Sequence, residues 1–174
     1  MATGVSELEL LVGEVATPLG ALTLVASPRG VVATAFDDED PDATVAGIEA
    51  KLDARARSAK RLLANLRREV EDYFEGRIRR FATAPDLALA PQGFGRRVLE
   101  VTTTIPYGEL WTYGDVAEMA GSPRGGRAAG TALSRCPMEL FVPCHRVVHA
   151  GGTLGGYGRF TERKRWLLRH EGAV

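Results

Sequence analysis

The first part of the chain alternates apolar and polar residues with the period of β-strands. Residues 7–15, 21–27 and 31–36 read ELELLVGEV, ALTLVAS and VVATAF, and turn sequences at 17–20 and 28–30 separate them. Proline fixes φ and glycine tolerates positive φ, so both separating segments suit tight turns. The pattern predicts an antiparallel sheet of three strands.

A helical pattern follows this alternation. The acidic run at 37–42 is predicted to be a solvated loop, and residues 43–75 are helical in character. Gly76 is expected to end this helical region. Its apolar residues recur every three or four positions and form one stripe, made of Leu62, Leu63, Leu66, Val70, Tyr73 and Phe74.

Prolines at 85 and 91 bracket the expected domain boundary. The net charge of the chain also changes sign just beyond them, which supports a boundary there. We place the domains at residues 1–88 and 89–174. The second domain opens with one apolar helix face, made of Phe94, Val98, Leu99 and Thr102. The predicted fold class is therefore α+β: a small N-terminal α/β domain with an antiparallel three-stranded sheet, followed by a mostly helical C-terminal domain.

Two short helices joined by a tight turn are predicted in the C-terminal domain. Thr112 and Asp115 have the spacing of a capping box at the start of the first helix. Ser122 as N-cap and Pro123 as first helical residue predict that the second helix starts there and covers 124–135. Together they form a candidate helix-turn-helix.

The second of these helices carries arginines and a small-residue face but no acid. Arginines pair with phosphates, and small residues let a backbone approach a surface closely, so the helix is a candidate for nucleic-acid binding. A buried helix with solvated arginines explains the same residues. The residues concerned are Arg124, Arg127, Ala128, Ala129, Gly130 and Arg135.

Composition and charge narrow the classes of protein to which this chain can belong. With 174 residues, 45% hydrophobic and 25% charged, the chain is neither disordered, collagenous nor a coiled coil. It has no apolar run near the roughly 20 residues of a membrane helix and no signal peptide, so a cytoplasmic protein without a membrane partner is predicted. The net charge is zero, but residues 1–95 hold 11 basic and 15 acidic residues, whereas 96–174 hold 11 and 7. A polyanion would therefore contact the C-terminal half, although ordinary surface charge explains the split equally well.

Cys136 and Cys144 are the only cysteines, too few for a disulfide framework or a four-thiolate zinc site, so no metal or cofactor is predicted. Cys144 precedes His145, and an imidazole can take the proton of a nucleophilic thiol. Neighbouring side chains in a strand point apart, so the two cooperate only if the backbone turns or a water joins them. A buried structural cysteine would explain the bare dipeptide as well.

The motifs of the C-terminal half, taken in order, resemble the single-function O6-alkylguanine-DNA alkyltransferases, also called methylated-DNA–protein-cysteine methyltransferases. The similarity is strong over 92–172 and looser before it. The matching motifs are IPYGE at 105–109, TYGDVA at 112–117, RAAG at 127–130, PCHRV at 143–147, GGYG at 155–158 and KRWLLRHEG at 164–172.

The resemblance implies a DNA repair protein that irreversibly moves the alkyl group of O6-alkylguanine to its own Cys144, one group per molecule. O4-alkylthymine is a second candidate substrate. By this resemblance His145 takes the thiol proton through a water, Glu171 orients the imidazole, and Tyr113 donates to the guanine ring. Lys164 would support the helix that bears Glu171.

The resemblance also implies how DNA is held. The helix-turn-helix enters the minor groove of double-stranded DNA, and Arg127 replaces the flipped base in the stack. The backbones of Cys144, Val147 and Gly158 would read the guanine edge, while the pocket walls would be Met138 and Tyr157. A monomer is expected, with cooperative binding along DNA left open.

Departures from the family pattern affect the active-site loop. Cys136 stands where the family usually has an Asn that joins the recognition helix to this loop, and a thiol forms weaker hydrogen bonds than an amide. A looser hinge is therefore expected. The proline after Cys136 and an extended segment predict that its sulfur stays outside disulfide reach of Cys144. Glu139 and Arg159 also replace residues that are usually apolar or glycine.

Two other functions remain open at this point. A DNA-binding protein that senses alkylated bases without transferring anything would resemble this chain, but such relatives lack the cysteine. A cysteine hydrolase could use Cys144, His145 and Glu171 on an acyl substrate, and it would turn over without DNA.

Overall fold

The computed structural model describes residues 8–59, 63–155 and 160–174. They belong to two separately packed units, one ending at Leu89 and the other beginning at Ala90. The sequence-based boundary lay between residues 88 and 89.

The N-terminal unit begins with the predicted antiparallel meander. Strands β1 (Leu8–Thr17), β2 (Gly20–Ser27) and β3 (Gly30–Phe36) pair in chain order. Thr17 closes the first turn, because its hydroxyl donates to the Gly20 carbonyl (2.7 Å) and accepts from the Leu19 amide (3.1 Å). The three predicted strands are confirmed.

A fourth strand joins this sheet, so the single helical region expected at 43–75 is wrong. Helix α1 (Pro41–Leu52) is followed by β4 (Ala54–Ser58), which pairs with β1 in parallel and gives the order β3-β2-β1-β4. Asp53 ends α1 in the left-handed conformation at φ 47°. Helix α2 (Ala64–Phe74) then completes the unit.

Weak local signals explain this error. The β4 sequence Ala-Arg-Ala-Arg-Ser alternates with the period of a strand, but its buried side is only alanine, so its apolar signal is small. Pairing with β1 supplies what the local sequence lacks. The core between sheet and α1 contains Leu10, Val25, Val32, Ala33, Ile48 and Ala54.

The acidic run is more ordered than the predicted solvated loop. Residues 37–39 form one 3-10 turn, and Asp40 caps α1, since its carboxylate accepts from the Ala43 amide (3.1 Å). Pro41 is the first helical residue, where its missing N–H is no loss.

The C-terminal unit is built around three helices packed on one another. They are α3 (Phe94–Thr102), α4 (Tyr113–Met119) and α5 (Gly126–Ser134). Strand β5 (Trp111–Thr112) pairs in parallel with β6 (Val147–Val148), and α6 (Thr161–His170) lies near the C-terminus. Within the described ranges, every helix is too short or too polar to cross a bilayer.

The predicted capping box at α4 is confirmed. Thr112 Oγ1 accepts from the Asp115 amide (3.1 Å), and Asp115 Oδ2 accepts from the Thr112 amide (2.7 Å). These hydrogen bonds hold the pKa of Asp115 below its ordinary value. The cap fixes the first turn of α4, which contains Tyr113.

The predicted start of the second helix is wrong, because α5 begins at Gly126 after an N-cap at Gly125. The Gly125 amide donates to the Ser122 carbonyl (2.8 Å), so Ser122 belongs to a turn. A Cβ at Gly125 would lie 2.9 Å from the Phe94 ring, which explains why glycine stands there. Arg124 therefore lies in the turn before α5, and Arg135 is its C-cap.

Candidate active site

Cys144 begins a single 3-10 turn that covers Cys144–Arg146. The Arg146 amide donates to the Pro143 carbonyl (2.9 Å), and the Cys144 amide donates to the Val142 carbonyl (2.7 Å). The backbone therefore turns between the extended approach and the thiol, as cooperation of Cys144 with His145 requires. The Cys144 residue is 6% exposed and His145 is fully buried.

Glu171 holds the imidazole of His145 from the C-terminal end of α6. His145 Nε2 donates to Glu171 Oε1 over 2.8 Å, and both side chains are fully buried. Because Nε2 carries the donated proton, Nδ1 is the basic nitrogen of the neutral ring. The structure thus brings together the two residues that the family resemblance paired.

Arg146 neutralises the other side of the same carboxylate. Its Nε and Nη2 donate to Glu171 Oε2 and Oε1, each over 2.9 Å, and its Nη1 donates to the Ile105 carbonyl (2.6 Å). The guanidinium also lies 5.7 Å from the Tyr107 ring centroid. Sequence reasoning assigned no role to Arg146, although an arginine among apolar neighbours such as Val142 and Val147 was a signal for a buried ion pair.

These contacts set the charges at neutral pH. Burial opposes ionisation of Glu171, but the hydrogen bonds from His145 and Arg146 outweigh it and hold the pKa of Glu171 well below its usual range. Burial lowers the pKa of His145, and the hydrogen bond to Glu171 offsets only part of this effect. The arrangement is a carboxylate that orients a neutral imidazole, which is the state of a general base.

Lys164 lies fully buried on α6, where its Nζ donates to the Val147 carbonyl over 2.5 Å. This contact ties α6 to β6, in keeping with the supporting role that the family resemblance implied. Burial lowers the pKa of Lys164 to about 8, and negative charge on Cys144 opposes that effect. A buried cation near a cysteine favours its thiolate form.

The Cys136 thiol is one of the groups that raise the pKa of Cys144. The expectation that the two sulfurs stay outside disulfide reach stays a prediction, although the segment between them is not simply extended. The chain reverses at Leu140, which has φ 73°, and the Val142 amide donates to the Met138 carbonyl (3.0 Å). This reversal brings the segment that follows Cys136 back beside the segment that leads to Cys144.

The protonation state of Cys144 follows from these neighbours. Its hydrogen bond with Cys136, its burial and the nearby charge of Glu139 raise the pKa of Cys144 well above the ordinary value, while Lys164 lowers it. The thiol is consequently protonated at neutral pH in the DNA-free protein. Reaction then requires a base that removes this proton as the substrate arrives.

Glu139, a departure from the family pattern, has its own buried partner. Arg163 Nη1 donates to Glu139 Oε2 over 3.0 Å, and the Arg163 side chain is 6% exposed. The Arg163 guanidinium also lies 4.1 Å from the Phe160 ring centroid. The pair connects the active-site loop to the first turn of α6.

Tyr113 lies at the start of α4 between α5 and the loop after β6. A Cβ at Gly130 would lie 3.7 Å from its ring, so glycine lets α5 pack closely against it. The ring of His149, which sequence reasoning treated as a simple surface residue, lies 5.0 Å from the Tyr113 ring centroid. Burial, and negative charge at Cys144, raise the pKa of Tyr113, so its hydroxyl remains a proton donor.

A cleft of about 600 Å³ runs beside Tyr113. Its lining includes Arg127, Gly130 and His149, so the exposed arginine of α5 and the tyrosine of α4 line the same cleft. Ala128 is exposed, whereas Ala129 is buried against the helix core.

The remaining predicted pocket residues are only partly described. Met138 and Val147 are fully buried within the C-terminal unit. Tyr157 and Gly158, together with Arg159, lie outside the described residues. Across residues 8–59, 63–155 and 160–174, no group of three or more metal-ligating side chains comes together.

Known proteins resemble this chain in both sequence and fold. The profile of the 6-O-methylguanine DNA methyltransferase DNA-binding domain matches residues 93–173. A methylated-DNA–protein-cysteine methyltransferase of Shigella flexneri is 34% identical over 169 residues, which are 95% of this chain and 97% of that protein. One from Methanosarcina acetivorans is 43% identical over 108 residues, 61% of this chain and 67% of its own length.

Solved structures agree with this similarity. The O6-methylguanine methyltransferase of Mycobacterium tuberculosis superposes with a TM-score of 0.77 at 29% identity, over 93% of this chain and 92% of that one. The crystal structure of the M. tuberculosis protein in complex with DNA gives a TM-score of 0.75 at 29% identity, over 94% and 92%.

Proposed function

We propose that this chain, which belongs to the methylated-DNA–protein-cysteine methyltransferase family, uses Cys144 as the acceptor of the alkyl group. The protein is a DNA-binding repair methyltransferase that takes alkyl groups from damaged DNA. The buried His145–Glu171 pair next to Cys144 carries the assignment of the acceptor.

The proposed reaction is a single in-line displacement. The Cys144 thiol loses its proton through a water to His145 Nδ1, and its sulfur attacks the alkyl carbon of O6-alkylguanine. The carbon–O6 bond breaks and its electron pair returns to the guanine, while Tyr113 donates a hydrogen bond to the ring as charge develops. Glu171, ionised and paired with Arg146, stabilises the imidazolium. The thioether product is stable, so each molecule acts once.

The DNA contact is proposed for the helix pair α4 and α5. Arg127 is exposed beside the cleft that contains Tyr113, which suits a side chain that fills the base stack while the alkylated base is flipped out. Exposed Ala128 allows α5 to approach the minor groove closely, and Arg124 and Arg135 flank α5 as phosphate contacts. The protein is proposed to act as a monomer on double-stranded DNA.

Mass spectrometry tests the acceptor. After reaction with a duplex containing O6-methylguanine, the protein should gain about 14 Da, the mass of a methylene, with one group lost from DNA per protein. Cys136 and Cys144 lie in one tryptic peptide, residues 136–146, so fragmentation of that peptide must locate the methyl group on Cys144. Label on Cys136, or repeated turnover as in a hydrolase, would contradict the proposal. Cys144→Ala should bind DNA and transfer nothing.

Two substrates test the role of Arg127. Arg127→Ala should slow repair of duplex DNA strongly and leave reaction with free O6-benzylguanine nearly unchanged, because the free base needs no flipping. Arg80→Ala, which changes an exposed arginine of the N-terminal unit, is the matched control. Equal loss on both substrates would show that Arg127 does not replace the base.

A further inference from the structure

His149 packs against Tyr113, although the proposed reaction gives His149 no role. The centroids of the two rings lie 5.0 Å apart, and the ring planes are tilted by 51°. Both side chains line the cleft that also contains Arg127. An exposed imidazole thus lies beside the phenol ring that is proposed to contact the guanine.

The backbone sets these two residues side by side. Strands β5 and β6 run in parallel with Thr112 opposite Val148, and Tyr113 and His149 are the next residues along the two segments. The His149 amide also donates to the Thr153 carbonyl (2.9 Å), which holds the turn after β6. The strand pairing and this turn therefore place the two rings next to each other.

The backbone at Gly155 closes on the same point. A Cβ at Gly155 would lie 3.0 Å from the Tyr113 hydroxyl oxygen and 3.0 Å from both Cδ2 and Nε2 of His149. Gly155 has φ 67°, a conformation that glycine adopts without strain. The hydroxyl end of Tyr113 and the imidazole of His149 therefore lie against one stretch of backbone.

The Tyr113 ring has further contacts with α5 and α6. A Cβ at Gly130 would lie 3.7 Å from its Cδ1 and Cε1 atoms, and Lys164 Nζ lies 5.8 Å from its centroid. His149 adds a contact from a third element, the turn after β6, and its ring forms part of the cleft wall. Removal of the imidazole would therefore open space beside a ring that is only half-buried.

We propose that His149 is a positioning residue, whose ring packs on Tyr113 and holds the Tyr113 hydroxyl where it donates to the guanine during alkyl transfer. This inference rests on the role proposed above for Tyr113. A donor that is already in place when negative charge develops on the guanine needs no reorganisation at that moment, so it stabilises the transition state more strongly. His149 supplies a packing surface, and no proton moves to or from its ring.

Single-turnover reaction of the whole DNA-free protein with increasing concentrations of free O6-benzylguanine tests this role. His149→Ala should lower the maximal rate constant about two- to tenfold, the value of one ring contact, with little change in the half-saturating concentration. His149→Phe keeps a ring and should retain most of the wild-type rate. Equal rates for His149→Ala and wild type, or equally slow reaction of His149→Phe and His149→Ala, would overturn the inference.

His170→Ala is the matched control. It removes another imidazole of the same unit that stacks on an aromatic ring, that of Trp166, with centroids 5.1 Å apart. This variant should react at the wild-type rate, because its ring contact does not involve Tyr113. Thermal unfolding establishes that all variants are folded at the temperature of the assay.

A double-mutant cycle decides whether His149 acts through the Tyr113 hydroxyl. Tyr113→Phe alone should slow transfer, because the donor is lost, and adding His149→Ala should then cause no further loss. If Tyr113→Phe slows transfer but His149→Ala costs the same factor in both backgrounds, the inference about His149 is wrong and the proposed reaction stands. A wild-type rate in Tyr113→Phe would contradict the role proposed for Tyr113 and this inference with it.

Discussion

The two units of this protein bury different kinds of side chain. In the described residues up to Leu89, the buried polar side chains are Thr23, Thr34 and Asp86. From Ala90 onward they include five residues that can carry charge, namely His145, Arg146, Arg163, Lys164 and Glu171.

The surroundings of these charges differ as well. In the N-terminal unit, Asp86 accepts from exposed Arg29 (3.2 Å), and the ion pair between Arg57 and Glu9 is half-exposed on both sides. In the C-terminal unit, Glu171 has no exposed side-chain surface and is held by His145 and Arg146. The N-terminal unit gains its stability mainly from apolar burial, whereas the C-terminal unit buries charged side chains in spite of the cost of removing them from water.

Glu171→Gln should have the largest effect, because it leaves Arg146 buried without its anionic partner. We expect a loss of about 3–5 kcal/mol of unfolding free energy at pH 7, together with loss of alkyl transfer onto duplex DNA. Glu9→Gln, which breaks the exposed pair with Arg57, should cost less than about 1 kcal/mol. Urea unfolding measures the loss of stability in each variant, and single-turnover assays measure alkyl transfer. Similar losses in Glu171→Gln and Glu9→Gln would contradict the proposed difference between the two units.

The same variant has a defined pH dependence. Because the folded-state pKa of Glu171 is lowered, its contribution to stability is present above the unfolded-state pKa of about 4.3 and is lost as pH falls toward the folded-state pKa. The stability difference between wild type and Glu171→Gln should therefore shrink as the pH is lowered below about 4. A difference that stays constant would show that the ionised carboxylate is not its source.

Leu10→Ala should separate stability from chemistry. Leu10 is fully buried in the core between the sheet and α1, so its truncation should cost about 3 kcal/mol. The transfer rate onto free O6-benzylguanine should not change at a temperature where both proteins are folded. A slower reaction there would show that the N-terminal core also shapes the active site.

The pH profile of transfer onto free O6-benzylguanine should reflect the protonated thiol. Because burial lowers the pKa of His145 and the pKa of Cys144 is raised, the neutral imidazole and the protonated thiol coexist around pH 7, so the rate should change little there and fall only as the imidazole gains a proton below about pH 6.5. Above pH 8 the rate should also decline, since Lys164, with its pKa of about 8, loses the charge that favours the thiolate.

Lys164→Met removes that cation and should react more slowly below pH 8 without the decline above it. Circular dichroism and thermal unfolding establish that the variant is folded. A decline that persists in Lys164→Met would assign it to another group.

The sequence predicted those features of the two units that depend on local pattern. Alternation predicted β1 to β3, the spacing of Thr112 and Asp115 predicted the cap of α4, and the Cys144–His145 motif indicated a candidate nucleophile. Each of these signals lies within a few residues of chain.

The features that escaped prediction depend on contacts between distant residues. Strand β4 has a weak apolar side and is recognisable only when paired with β1. The reversal of the chain before Cys144 depends on a left-handed Leu140, which its sequence does not favour. The role of Arg146 follows from Glu171, 25 positions away. Tertiary contacts decided each case against the local signal.

The smallest expected effect compares one helix cap from each unit. Thr112→Ala and Asp40→Ala each remove a side chain that accepts from the first turn of its helix, in α4 and α1 respectively. Each should cost about 1 kcal/mol of stability, and the left-handed Asp40 somewhat more because alanine tolerates φ 53° poorly. Only Thr112→Ala should also slow repair of duplex DNA, because α4 begins with Tyr113 and lies against α5. Thermal unfolding and single-turnover repair measure both outcomes, and a repair defect in Asp40→Ala of equal size would mean that the N-terminal unit takes part in handling the damaged base.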